Sequence, residues 1–396
     1  GAEFNTTVGN NAEAYTDVDA NNAPDAGSSP SGGTTRNFDF ALNLTQAPSA
    51  YRPGAVKNLF YWNNIIHDVQ YQYGFDEQGG NFQVNNYGRG GAGNDSVRAE
   101  AQDGSGTNNA NFGTPPDGQR PRMQMFIWTA PTPDKDGDLD ASIVVHEYGH
   151  GISNRLVGGP SHTSCLGNTQ QAGEGLSDWW ALAYTAKPGD TGPQGRGIGT
   201  YALNQPTTGV GIRQLRYSTD QAINNWTYQS INGAAVPHGV GSRWAQAAWE
   251  VYWALVNQYG FSANLYLANG NAGNQRMMLY VNEGLKNTIC SPAFTDIRNG
   301  IIQAAVDNHG GEDVCRMWSA FAAFGLGSNA ASGGPNGLSP TNGFAVPASC
   351  QGGGGTTVFS DDFETNTGWT TNPPGTDTAT TGQWAGGNPE TTTSSG

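Results

Sequence analysis

The chain of 396 residues carries 33 Asp and Glu against 18 Lys and Arg, a formal net charge of −15. This imbalance argues against nucleic acid or an anionic membrane surface as a partner, and no apolar run approaches the ~18 residues that a membrane span requires. With 13% charged residues and 58 Gly, abundant Gly-punctuated loops around a large core are expected, on a length suited to two or three domains.

No leader pattern opens the chain, and Gly1–Phe4 reads as a cloning remnant ahead of a mature or trimmed protein. Residues 1–54 are polar and rich in Asn, Gly, Ser and Pro, so they predict surface loops with short strands. The Asp residues of NNAEAYTDVDANNAPDAG show no ligand spacing. From Ala55 to Tyr73 the pattern turns helical: Leu59, Trp62, Ile66, Val69 and Tyr73 form one stripe, and Gly74 is the stop. His67, beside Asp68 on this helix, reads as a hydrogen-bonded structural histidine. Residues 80–130 predict strands in VRAEAQD, ANFGT and RMQMFIWT, with PPDG as a turn.

Asp134, Asp136, Asp138 and Asp140 alternate around Gly137, as at the start of a calcium loop. An EF-hand needs Glu at loop position 12, where this chain has Val145. Two readings stay open: Ca²⁺ bound with help from elsewhere, or negative charge capping the helix that follows.

That helix is the centre of the sequence. Asp140 and Ser142 are N-cap candidates, Ile143, Val144 and Val145 supply an apolar first turn, and Gly158-Gly159-Pro160 ends it. Within it stands His146-Glu147-Tyr148-Gly149-His150, an HExxH motif. Residues four apart share a helical face, about 6 Å apart along the axis, so both imidazoles can reach one Zn²⁺. Glu147, about 100° round the helix, faces the attacking water instead of the metal. Glu174 follows His150 by 24 residues and opens a second helix, GEGLSDWWALAYTA, which supplies the third ligand. Asp178, one turn after Glu174, is placed to accept the second ring N–H of a ligating histidine. An HExxHxxGxxH site is excluded, because Ser153 and Leu156 stand where Gly and His are needed. His146, His150 and Glu174 with an open fourth position read as a catalytic zinc site.

A Gly/Pro-rich loop, residues 187–209, then leads to Arg213 and Arg216 in GIRQLRYSTD. His238 opens a long apolar helix, SRWAQAAWEVYWALVNQYG. Further helices are expected at Asn274–Lys286, from Ser291-Pro292 to Gly310, and over Glu312–Phe324. Four cysteines, none in a CxxC, allow three connectivities. Cys290–Cys315 with Cys165–Cys350 is the expected pair of disulfides, four buried thiols the alternative. Residues 351–356 read as a Gly-rich linker, and 357–396 as the incomplete start of a β-sandwich accessory module.

The blocks HEYGHGISNRLVGGP, Cys165-Leu166, GEGLSDWWA, TVGNNAEAY, NLFYWNNIIHDVQYQYGFDE, AEAQDGSGTNNANFGTPPDG and RMQMFIW together resemble the fungalysin family of secreted metallopeptidases, relatives of thermolysin, from about Thr7 to Cys350. The resemblance implies an α+β, thermolysin-like, two-lobed fold. Residues 1–155 would form a β-containing lobe ending in the zinc-binding helix, and 156–350 a mainly helical lobe. It implies that Asn109 and Ala110 sit on an edge strand that binds substrate backbone, and that His238 stabilises the oxyanion. Arg213 becomes a candidate contact for a substrate carbonyl, a salt-bridged arginine being the open alternative. Thermolysin's oxyanion tyrosine has no counterpart between Gly151 and Gly173. The resemblance further implies protein or peptide substrates, a bulky apolar residue after the cleaved bond, an inhibitory propeptide, secretion and a monomer. The expected function is thus a secreted zinc endopeptidase, with Glu147 and His238 as catalytic groups. The rival is a catalytically weak matrix- or carbohydrate-binding protein on the same scaffold.

Overall fold

The first strand, β1 (Ala12–Thr16), joins a four-stranded sheet through residues far along the chain: β2 (Val97–Ala101), β3 (Ala110–Gly113) and β4 (Arg122–Met125). The order is β1-β2-β4-β3, with β1, β2 and β4 parallel and β3 antiparallel at one edge. Ala12, Ala14, Val97, Ala99, Ala101, Met123 and Met125 alternate into the core with the period-two rhythm of a pleated strand. The small alanines of β1 and β2 let helix α1 (Arg52–Gln72) lie on these strands through Val56, Leu59, Ile66 and Val69. Gly74, at φ +88°, turns the chain away after α1, as its place in the sequence predicts. His67 bonds to Asp68 at 2.9 Å and Gln83 at 3.1 Å, which accounts for both ring nitrogens.

The computed structural model describes residues 4–351. The expected β-sandwich start at 357–396, and the linker beyond residue 351, therefore lie outside the described residues. Within the described part, a short hairpin of β5 (Ile127–Trp128) and β6 (Lys135–Asp136) leads into α2 (Ala141–Leu156). Asp140 caps α2: its carboxylate accepts from the Ser142 N–H at 3.1 Å, the Ser142 hydroxyl at 2.6 Å and the Ala202 N–H at 3.0 Å. Asp136 and Asp138 accept from Gln102 and from the Asp138 N–H. Among the described residues, no group of three metal-ligating side chains drawing within 4.8 Å includes any Asp of 134–140. Capping is the role these contacts display.

The remaining helices are α3 (Gly173–Thr185), α4 (His238–Tyr259), α5 (Gly273–Lys286), α6 (Phe294–His309) and α7 (Val314–Ala323). Each of α2 to α6 packs on the next, around the fully buried Trp179, Trp180, Trp244 and Trp249. This is an α+β fold, as expected. Helix α6 begins two residues later than Ser291-Pro292 suggests. Asp296 accepts the Ala293 N–H at 2.8 Å and so sets the start there, while Ser291 turns at φ +56° to donate to the Cys165 carbonyl.

The expected disulfides are corrected. The bonds are Cys165–Cys290 and Cys315–Cys350. Cys290 and Cys315 lie before and after α6, whose 16 residues extend about 24 Å. That span far exceeds the Cα separation of about 7 Å that a disulfide tolerates. Nearness in sequence misleads here because a straight helix lies between.

Candidate active site

The site depends on how closely three helices approach. A Cβ on Gly149 of α2 would stand 2.9 Å from the Ser177 Cα, so the bare glycine lets α3 lie against the HExxH face. In the first turn of α3, two residues before Ser177, a Cβ on Gly175 would meet the Gly241 carbonyl at 1.9 Å, which is what allows the start of α4 to cross there. The two contacts bring Glu174 of α3 over the imidazoles of α2 and carry His238 to the same point.

The resulting distances are short. His146 Nε2 lies 3.1 Å from His150 Nε2 and 3.2 Å from Glu174 Oε2, with His150 Nε2 3.7 Å from Glu174 Oε1. Ligand atoms of all three fall within 4.8 Å of one another. Glu174 Oε2 is buried without a hydrogen-bond partner of proper geometry. His146 Nδ1 is 2.7 Å from Asp178 Oδ1, so its N–H is committed there and the Nε2 lone pair faces the cluster. Two imidazole nitrogens 3.1 Å apart and an orphaned carboxylate oxygen beside them form a donor set that fits a divalent cation of borderline softness.

A family model described as fungalysin metallopeptidase (M36) matches residues 1–330. The chain belongs to the fungalysin metallopeptidase family. It is 41% identical over 353 residues to "Extracellular metalloproteinase 2" of Arthroderma gypseum, covering 85% of this chain and 55% of that protein. It is 42% identical over 349 residues to "Extracellular metalloproteinase MEP" of Pyricularia oryzae, covering 83% and 52%. The chain spans about half the length of the curated relatives it matches. A solved structure, the precursor of protealysin, a metalloproteinase from Serratia proteamaculans, covers 72% of this chain and 82% of its own at 13% identity. The TM-score of that match is 0.38.

In this fungalysin the cluster lies in a cleft of about 340 Å³. His146, Glu147, His150, Glu174, Arg213 and His238 line it, and Asn109 and Ala110 border it from β3. Among the described residues β3 pairs with β4 alone, so its other edge is open to an added strand. Asp178 lies behind the cluster, fully buried. Arg213 clamps it, Nε donating at 2.7 Å and Nη2 at 2.8 Å, and the Tyr217 hydroxyl donates to it as well. The salt-bridged alternative for Arg213 is therefore present, even though the side chain also borders the cleft. His238 is more than half exposed, with Nε2 3.5 Å from Glu174 Oε2.

Charge follows the geometry. Burial pushes Glu147 up to about 7. Burial alone would lower His146, but the Asp178 and Glu174 carboxylates beside it raise it to about 10. Burial and the neighbouring His146 lower His150 to about 4. Burial opposes ionisation of Asp178, yet the Arg213 guanidinium holds it well below the usual carboxylate range. Burial opposes ionisation of Glu174 too, yet the neighbouring His146 holds it down to about 2. Without a metal the two carboxylates, Glu174 and Asp178, are therefore balanced by His146 and Arg213, and a bound cation takes the place of the His146 proton. Sequence reasoning missed Tyr217, which meets Asp178 across 39 residues with no motif to mark it. It also missed the apolar walls formed by Phe112, Trp128, Ile143, Ile198 and Ile212, which come from four separate segments.

Proposed function

We propose that this chain is the catalytic part of a secreted zinc endopeptidase, with His146, His150 and Glu174 holding the metal. The observation that carries this reading is the convergence of those three side chains in a cleft where a buried carboxylate, Glu147, stands beside them and an open strand edge runs past. Bound zinc supplies a Lewis acid that polarises the scissile carbonyl and acidifies water. Asn109 and Ala110 hold the substrate as an added strand, presenting main-chain groups regardless of side chain. Glu147 accepts the proton of the attacking water and passes it to the leaving amine, a task suited to a carboxyl held near 7 by burial. His238 donates to the oxyanion from the first turn of α4 and takes the part that a tyrosine shares in thermolysin. Asp178 fixes the His146 tautomer, and Arg213 and Tyr217 hold Asp178 in turn. The apolar walls Ile143, Ile198 and Ile212 suit a bulky apolar residue after the bond.

Secretion fits the two disulfides and the names of the relatives, which call them extracellular. Synthesis with an inhibitory propeptide and action as a monomer belong to the same reading. The test is Glu147→Gln. Zinc content should stay near one per chain while casein cleavage falls by at least about 10²-fold. Near-normal turnover by that variant would remove Glu147 from the mechanism, and chelator-insensitive turnover by the wild type would remove the metal.

A further inference from the structure

Next to the catalytic cleft lies a second cavity of about 420 Å³, which shares Ile212, Arg213 and His238 with it. Among the described residues no carboxylate lines this cavity, although acidic residues outnumber basic ones 33 to 18 in the chain. Two of the three basic groups that border it are already matched: Arg213 by Asp178, and His238 by Glu174. The third is Arg243.

Arg243 stands in the second turn of α4 and is 7% exposed. Among the described residues its hydrogen bonds run only to neutral acceptors, Nη1 to the Gly239 carbonyl at 2.9 Å and Nη2 to Gln214 Oε1 at 3.0 Å. Its Nε has no partner. The guanidinium lies 4.0 Å over the Trp226 ring, which softens the charge without cancelling it. A buried cation lacking a counter-charge is costly, and a carboxylate brought beside it from outside recovers much of that cost. The positive end of the α4 dipole faces the same space through His238 and Gly239. From His238 to Arg243 the helix rises about 8 Å, equal to two or three residues of an extended peptide at about 3.3 Å each.

We propose that the cavity bordered by Arg243 is a subsite for a carboxylate of the substrate, two or three residues from the cleaved bond. The inference rests on the peptidase reading above. The carboxylate could come from an Asp or Glu side chain or from the C-terminus of a short peptide, and Gln214 is the neutral group beside it.

The test is a set of matched peptides carrying Glu, Gln or Lys singly at each position from four before to four after the bond, each with a free and an amidated C-terminus. The zinc-loaded protein should favour Glu over Gln at one such position by about tenfold in kcat/KM, the size of one charge-assisted contact out of water. The effect should lie mainly in KM, and Lys should be disfavoured. A preference that follows the free terminus instead identifies the end carboxylate as the source. In Arg243→Gln the Glu-to-Gln ratio should fall towards one, whereas Arg243→Lys should keep part of it. A wild type that cleaves the Gln peptides without charge preference, or an Arg243→Gln ratio equal to the wild type's, overturns the subsite and leaves the peptidase reading standing. Failure to cleave any peptide overturns both. If Arg243→Gln does not fold, salt decides: the wild-type ratio should shrink as ionic strength rises, and a salt-independent ratio overturns the proposal.

Discussion

Asp178→Asn separates two jobs that the structure gives one side chain. Asp178 is fully buried and accepts from His146 Nδ1 at 2.7 Å and from both Arg213 nitrogens at 2.7 and 2.8 Å. Asparagine keeps the size and an acceptor oxygen but removes the charge, so the buried Arg213 guanidinium loses its nearest carboxylate and is left with Glu174 Oε2 at 3.6 Å. Breaking a buried pair from one side costs about 3–5 kcal/mol. That loss should appear in denaturant unfolding of the metal-free protein, where zinc binding cannot mask it. The second job is to orient His146 and make it more basic, and losing such a contact typically weakens metal binding by about 10–100-fold. At saturating zinc a site weakened that far forfeits a further ~1.4–2.7 kcal/mol of ligand stabilisation. Asp178→Asn with Arg213→Met, which removes the stranded cation, should recover most of the metal-free stability and little of the zinc affinity. Full recovery of both by the double variant, or unchanged zinc affinity in the single one, would refute the division of labour.

Gly149→Ala should cost about 1–3 kcal/mol, since its Cβ would press on the Ser177 Cα and Trp180 at 2.9–3.0 Å. It should also lower zinc affinity by parting α2 from α3, as calorimetric titration would show; a neutral outcome would mean that the helices are not held this closely. Glu250→Gln tests a half-buried carboxyl on α4, outside the cluster. Burial raises Glu250 to about 7 from its ordinary 4.5. The folded state therefore binds that proton more tightly. The stability this contributes is complete below pH 4.5 and is lost as pH rises through 7. The amide, which keeps the Gln246 hydrogen bond, should stabilise by up to about 3 kcal/mol above pH 7 and by nothing near pH 4. A gain that does not change with pH would contradict the assignment.

The parts of the fold and site legible in the sequence are those governed by repeats of a few residues. Helix periodicity placed His146 and His150 on one face, Asp140 at the cap of α2, and Glu174 and Asp178 one turn apart on α3. Likewise the stripe of α1 and its Gly74 stop depend only on neighbours along the chain. Backbone hydrogen bonding enforces these spacings within about four residues, whatever the rest of the molecule does.

Other features depend on distances that only packing sets. Cysteines 25 residues apart proved to be held at opposite ends of a rigid helix, and the true partners came from residues 125 and 35 positions away. Arg213 and Tyr217 reached Asp178, and Arg243 was left facing a cavity without a carboxylate, because α3 and α4 cross at Gly175 and Gly241. The order of residues along the chain thus determined which side chains could share a helical face. The close approach of separate helices decided which charges met and which stayed unpaired, because Coulomb and contact energies depend on separation in space and not on position in sequence.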